Sequence, residues 1–174
     1  MNLYTWLADL LTLSRIGIAG VVIYLGLTRG ATAFPYVVAL VILAWVTDGL
    51  DGPLARRGRH PTRFGKYEFV ADVALTWATF GYLTLAGFIP WVLALVYTLL
   101  AMVVVALAQR KSVMVAFMRP IDLTSGLIAL RHAPELTLFF LAWLVGLGLV
   151  HWRRTQQRVI TWLRDLYTLL RRRK

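Results

Sequence analysis

The chain is predicted to be an all-α integral membrane protein: six transmembrane helices in one domain, with amphipathic surface helices at the N-terminal and C-terminal ends. Two observations predict it. Hydrophobic residues make up 59% of the 174, and apolar stretches of roughly 18–22 residues recur, each long enough to cross ~30 Å of hydrocarbon. They fall at residues 10–28, 34–55, 65–88, 90–108, 113–131 and 134–152. The links between them are too short for an extramembrane domain, and no internal repeat divides the chain.

Each element follows from its own pattern. Residues 1–9, with Leu3, Trp6 and Leu7, form a weakly amphipathic surface segment. No basic segment precedes the first apolar run and no small-residue cleavage pattern ends it, so a retained helix starting from Met1 is expected rather than a signal peptide. The first helix carries Arg15, and the second ends in Asp48 and Asp51, with Pro53 expected to loosen it. The third opens with Glu68 and Asp72, and the fifth carries Arg119 and Asp122. The fourth and sixth carry no comparable charge and are expected to pack outside the charged group or to form a partner interface. Residues 1–152 make the membrane domain. In the tail, 153–174, Val159, Trp162, Leu163, Leu166, Leu169 and Leu170 share one helical stripe opposite arginines, the pattern of a cytoplasmic helix lying on an anionic lipid bilayer. Trp91 and Trp152 suit the interfacial belt.

The formal net charge of +11 is distributed by topology rather than along one soluble face, so nucleic acid is not the expected partner. Arg56, Arg57, Arg59, Arg63 and Lys66 follow the second helix, Arg110 and Lys111 the fourth, and eight more basic residues lie in the tail. The opposite connections hold only Arg29 and Arg131. The positive-inside rule then puts both termini in the cytoplasm, in an inner or plasma membrane. Cysteine is absent, which excludes disulfides and a thiol nucleophile.

Counting inward from the cytoplasmic helix ends at ~1.5 Å per residue puts Arg15, Asp48, Asp51, Glu68, Asp72, Arg119 and Asp122 in one layer roughly 5–15 Å deep. Asp48 and Asp51 are three apart, Glu68 and Asp72 four apart, so each pair shares a helix face and two helices aim four carboxylates at one point. In a low-dielectric site such acids protonate, pair with arginine, or hold divalent metal. Arg15 and Arg119 match two of the four, and two divalent ions would offset all four and leave the basic groups for an anionic substrate. Gly49, Gly52 and Gly65 let a phosphate or nucleotide approach the backbone. His60, His132 and His151 fall outside the layer. A cation transporter explains the acids but not the glycines and Arg56, and it needs access from both sides.

Asp48, Asp51, Gly52, Ala55, Arg56 and, after eight residues, Gly65 stand at the spacing of the first half of a known signature, D-x2-D-G-x2-A-R-x8-or-9-G-x3-D-x3-D. In these residues the chain resembles the CDP-alcohol phosphatidyltransferase family. Thr12 and Arg15 resemble the polar start of that family's first helix, with Ala8 and Asp9 in place of its proline and asparagine. The third aspartate of the signature falls on Glu68, separated from Gly65 by two residues rather than three; the fourth is Asp72, so the four-residue interval is kept.

The resemblance implies transfer of a phosphatidyl group from CDP-diacylglycerol to an alcohol with release of CMP. It implies Mg2+ or Mn2+, two ions per site, held by Asp48, Asp51, Glu68 and Asp72, with Asp72 also the general base. Gly52, Ala55, Arg56, Gly65, Thr12 and Arg15 match CDP-binding positions. Lys111 and Arg119 resemble two basic residues of phosphatidylglycerophosphate synthases, which with Arg110 favours glycerol 3-phosphate as acceptor, although Ser112 stands where those enzymes have an acid. Asp122, Thr124 and Ser125 either bind acceptor hydroxyls or, for Asp122, pair with Arg119. The family also implies a homodimer. The alternative is a catalytically silent homologue that binds metal or nucleotide as a membrane scaffold, a reading that Glu68 keeps open.

Overall fold

A computed structural model describes residues 3–57 and 67–150. The side chains of Thr5, of residues 51–56 and of residues 147–150 lie outside that description, as do Gly65 and the tail expected to form a surface helix. The described residues form six α-helices: α1 (Leu3–Arg29), α2 (Phe34–Arg57), α3 (Glu68–Leu85), α4 (Trp91–Ala108), α5 (Lys111–His132) and α6 (Pro134–Val150). A short 3-10 turn, Gly30–Ala33, joins the first two.

Among the described residues three stretches are long and apolar enough to cross a membrane: Trp6–Leu50, which holds most of α1 and α2, then Trp91–Ala108 and Lys111–His132. The expected surface segment at the N-terminus is continuous with α1, which rises ~40 Å at ~1.5 Å per residue and so overhangs a ~30 Å core. α3 begins at Glu68 and ends at Leu85, shorter than the apolar stretch at 65–88. Its end is set by Gly87, whose φ of +80° only glycine adopts without strain. Phe88 and Ile89 there both donate backbone N–H bonds to the Leu83 carbonyl, at 2.9 and 3.2 Å.

α1 lies against both α2 and α3. Its buried residues, Ala8, Thr12, Arg15, Ala19 and Val22, alternate at intervals of four and three, one continuous face of a helix. Glycine lets α1 and α3 approach closely: a Cβ at Gly26 would lie 3.1 Å from the Leu85 Cδ1, and one at Gly81 3.1 Å from the Ile23 Cδ1. α4 touches α3 and α5 and buries only Ala94 and Ala101, leaving an apolar outer surface suited to lipid. α6 touches α2 and α5. Pro134 and Glu135 open it, a proline needing no N–H and an acid at the positive helix end.

One end of the bundle is closed by aromatic rings from three connections. Phe34 lies 4.8 Å from Phe88 and 5.8 Å from His132, centroid to centroid, and Phe88 lies 5.0 Å from His132. The Tyr82 hydroxyl donates to the Gly30 carbonyl at 3.0 Å. The charged layer sits toward the other end.

Candidate active site

The buried stripe of α1 brings Arg15 between α2 and α3, where its side chain has no solvent exposure. Its Nη1 donates to the Oδ1 of both Asp48 and Asp72. One guanidinium thus ties an acid of the first pair to an acid of the second. A buried guanidinium needs such charged partners, and two carboxylates this close need a cation. The acids themselves stay 54% and 37% exposed.

They face a polar chamber of about 240 Å³ whose wall includes Arg15, Asp48, Asp72, Phe69, Arg119 and Asp122. Thr12, one turn before Arg15, is buried with its hydroxyl turned to the Ala8 carbonyl at 3.3 Å. Asp122 accepts from Thr76 Oγ1 at 3.5 Å and from Arg119 Nη1 at 3.4 Å, both long enough to be weak. Of the two alternatives for Asp122, the ion pair with Arg119 is present, and its carboxylate also stands in the chamber wall. Thr124 is exposed away from it, and Ser125 donates to the Ile121 carbonyl at 2.7 Å.

The other expected site residues are placed less centrally. Glu68 opens α3 half-buried but is not part of the chamber wall. Lys111 sits 5.5 Å over the Phe69 ring, a cation–π contact at the rim, and Arg110 is the exposed residue preceding α5. Asp51, Gly52, Ala55 and Arg56 lie on the last turns of α2, their side chains outside the described residues; Gly65 is outside them altogether. Thr76 and Trp45 were not foreseen as site residues. Thr76 was legible in principle, since it follows Asp72 by four positions and shares its helix face. Asp9 is a further buried acid on α1.

Among the described residues no three acid or histidine side chains converge as a metal centre. Asp48 and Asp72 offer hard carboxylate oxygens on an accessible wall, the donor chemistry that Mg2+ and Mn2+ take, and Asp51 lies one turn from Asp48. The residues therefore fit such an ion.

A bundle of apolar helices that buries an arginine between two aspartates, beside a second arginine and an open acidic wall, is a membrane protein with a charged chamber set among its helices. The chain matches the family model of CDP-alcohol phosphatidyltransferase over residues 5–168, and it belongs to that family. It is accordingly a phosphotransferase of phospholipid synthesis, in a family that is generally dependent on divalent metal. No curated protein and no solved structure matches it.

Proposed function

We propose that the protein transfers a phosphatidyl group from CDP-diacylglycerol to glycerol 3-phosphate, releasing CMP, from a site open to the cytoplasm. The observation that carries this reading is the Arg15 bridge between Asp48 and Asp72 in the wall of the polar chamber. It joins the two halves of the signature and fixes both acids where a diphosphate would meet them.

Asp72 takes the proton of the acceptor hydroxyl as that oxygen forms its bond to the phosphatidyl phosphorus. The bond from phosphorus to the bridging oxygen of CMP breaks, and CMP leaves with the electron pair. Arg15 holds the Asp72 carboxylate in place by a charge-assisted hydrogen bond, so the base does not swing away from the acceptor. Gly52, Ala55, Arg56 and Gly65 bind the cytidine and its phosphates, together with Thr12 and Arg15. Arg119, at the chamber wall, and Arg110 and Lys111, at its rim, attract the phosphate of the acceptor. Two Mg2+ or Mn2+ ions held by Asp48, Asp51, Glu68 and Asp72 would neutralise charge gathering on the leaving CMP.

Six membrane crossings with both termini in the cytoplasm, a homodimer and a tail lying on anionic lipid complete the reading. It is tested by CMP release from purified protein with CDP-diacylglycerol and Mg2+ or Mn2+. Acceptors are glycerol 3-phosphate, inositol phosphate, inositol and serine, run beside Asp72→Asn. Metal-dependent release with glycerol 3-phosphate, lost in the variant, is the expected result. Glu68, in place of an aspartate and outside the chamber wall, favours the silent-homologue reading. A folded protein that binds CDP-diacylglycerol but releases nothing with any acceptor would establish that reading, and activity gained by Glu68→Asp would locate the defect.

A further inference from the structure

Behind the polar chamber lies a second cavity of about 360 Å³, walled by α2, α3, α5 and α6. The two adjoin: Trp45, Leu75, Thr76 and Asp122 stand in the walls of both. The second cavity runs from Trp45 to Phe34 along α2, about 16 Å at ~1.5 Å per residue. That is close to half the ~30 Å thickness of a hydrocarbon core.

Its wall is apolar even where its residues are not. Thr79 donates its hydroxyl to the Leu75 carbonyl at 2.9 Å, Ser125 to Ile121 at 2.7 Å, Thr137 to Ala133 at 2.9 Å, and Tyr82 to Gly30 at 3.0 Å. Each hydroxyl is therefore already used by backbone, and beyond the Thr76–Asp122 boundary the cavity offers water few partners. A cavity of this kind excludes water and admits hydrocarbon. Gly126 lies in the same wall, and a Cβ added there would meet nothing within 4 Å. It differs in this from Gly26 and Gly81, whose missing side chains are filled by a neighbouring helix. The absence of a side chain at Gly126 keeps space open. Leu127 and Leu141, also in the wall, stay 60% and 43% exposed, so the cavity opens sideways to the surrounding apolar phase.

We propose that this cavity receives one acyl chain of the lipid whose phosphates occupy the polar chamber, and that Gly126 sets the length of chain admitted. The inference rests on the proposed function, because it takes its lipid from there. A chain in the cavity fixes the lipid's glycerol near Thr76 and Asp122 and so holds the phosphorus beside Asp72. Chain length then acts on the chemistry and not only on retention in the membrane.

The test uses CDP-diacylglycerols with short and long saturated chains, on the full-length protein and on two variants. Gly126→Leu fills the cavity; Leu130→Ala enlarges its far end. Gly126→Leu is expected to shift the ratio of kcat/KM for long over short chains downward by on the order of tenfold, the scale of discrimination by a hydrophobic pocket. Leu130→Ala should shift it upward. General destabilisation would not move the two in opposite directions. A reading independent of turnover is quenching of Trp45 by CDP-diacylglycerol with a brominated acyl chain, taken as the signal lost in Trp45→Phe. That signal should be present in the parent protein and weakened in Gly126→Leu. Equal quenching in both, or no Trp45 component, overturns the proposal, as does an unchanged length ratio in both variants. If the parent protein turns over no acceptor yet Trp45 is quenched and Gly126→Leu relieves it, the acyl-chain assignment of the cavity stands and the transferase reading fails.

Discussion

Arg15 sets one positive charge against two carboxylates that would otherwise repel across the α2–α3 seam. Removing it leaves Asp48 and Asp72 without their common donor. Both acids are partly exposed, so water and counter-ions take up some of the charge. Arg15→Gln is therefore expected to lower stability by about 1.5–3 kcal/mol, the range for hydrogen bonds to charged groups. Arg15→Lys keeps the charge and restores part of it. Thermal unfolding in detergent reads both, and a Tm for Arg15→Gln equal to that of the parent would show that the bridge contributes nothing to the fold. The sequence placed Arg15 in the same layer as the acids by depth alone. Which acids it joins depends on the packing angle of three helices, and no spacing within one helix carries that. The spacing did group Glu68 with Asp72 on one face, yet only Asp72 reaches the chamber wall, because Glu68 sits on the first turn of α3.

Between α1 and α3 the contact depends on glycines at two facing places. At Gly26 an added Cβ would also lie 3.2 Å from Tyr82 Cδ2, so a larger side chain forces the two helices apart. Gly26→Leu is expected to cost about 1–3 kcal/mol, as overpacking does. Gly20→Leu, on the same helix with nothing within 4 Å of an added Cβ, should leave the Tm close to that of the parent. Equal losses in both would mean that helix propensity, not the α1–α3 contact, sets the cost. α5 has a different weak point. Pro120 has no N–H to give the Ala116 carbonyl, and next to this break the Tyr97 hydroxyl from α4 donates to the Phe117 carbonyl at 2.6 Å. Tyr97→Phe should lose about 0.5–1.5 kcal/mol, an ordinary hydrogen bond, in the same unfolding experiment. Six helices were legible from apolar length, but not the end of α3, which Gly87 sets at Leu85 short of the apolar stretch. The cavity behind the site was not, since its wall is assembled from four helices and its emptiness depends on where Gly126 and the hydroxyls point.

Across the whole molecule the helices run up and down, and the structure sorts their connections by end. The rings of Phe34, Phe88 and His132 gather the α1–α2, α3–α4 and α5–α6 connections at one end. Lys111 over Phe69 brings the start of α5 to the start of α3 at the other, where Arg57 and Arg110 also lie. Among the described residues the basic ones follow the same division, with only Arg29 and Arg131 near the aromatic end. The positive-inside rule predicts that a bundle with this asymmetry inserts with its basic end toward the cytoplasm, and on the proposed function that orientation would put the polar chamber within reach of soluble acceptor and let CMP leave into water. The chain has no cysteine, so single introduced thiols report without background. Ala31 in the α1–α2 turn and Arg57 at the end of α2 are both exposed. A membrane-impermeant maleimide added to intact cells is expected to modify Ala31→Cys and to reach Arg57→Cys only after permeabilisation. The reverse pattern would turn the acidic chamber outward, away from any cytoplasmic supply of CDP-diacylglycerol head groups. Modification of both from outside would break the α1–α2 hairpin as a pair of crossings.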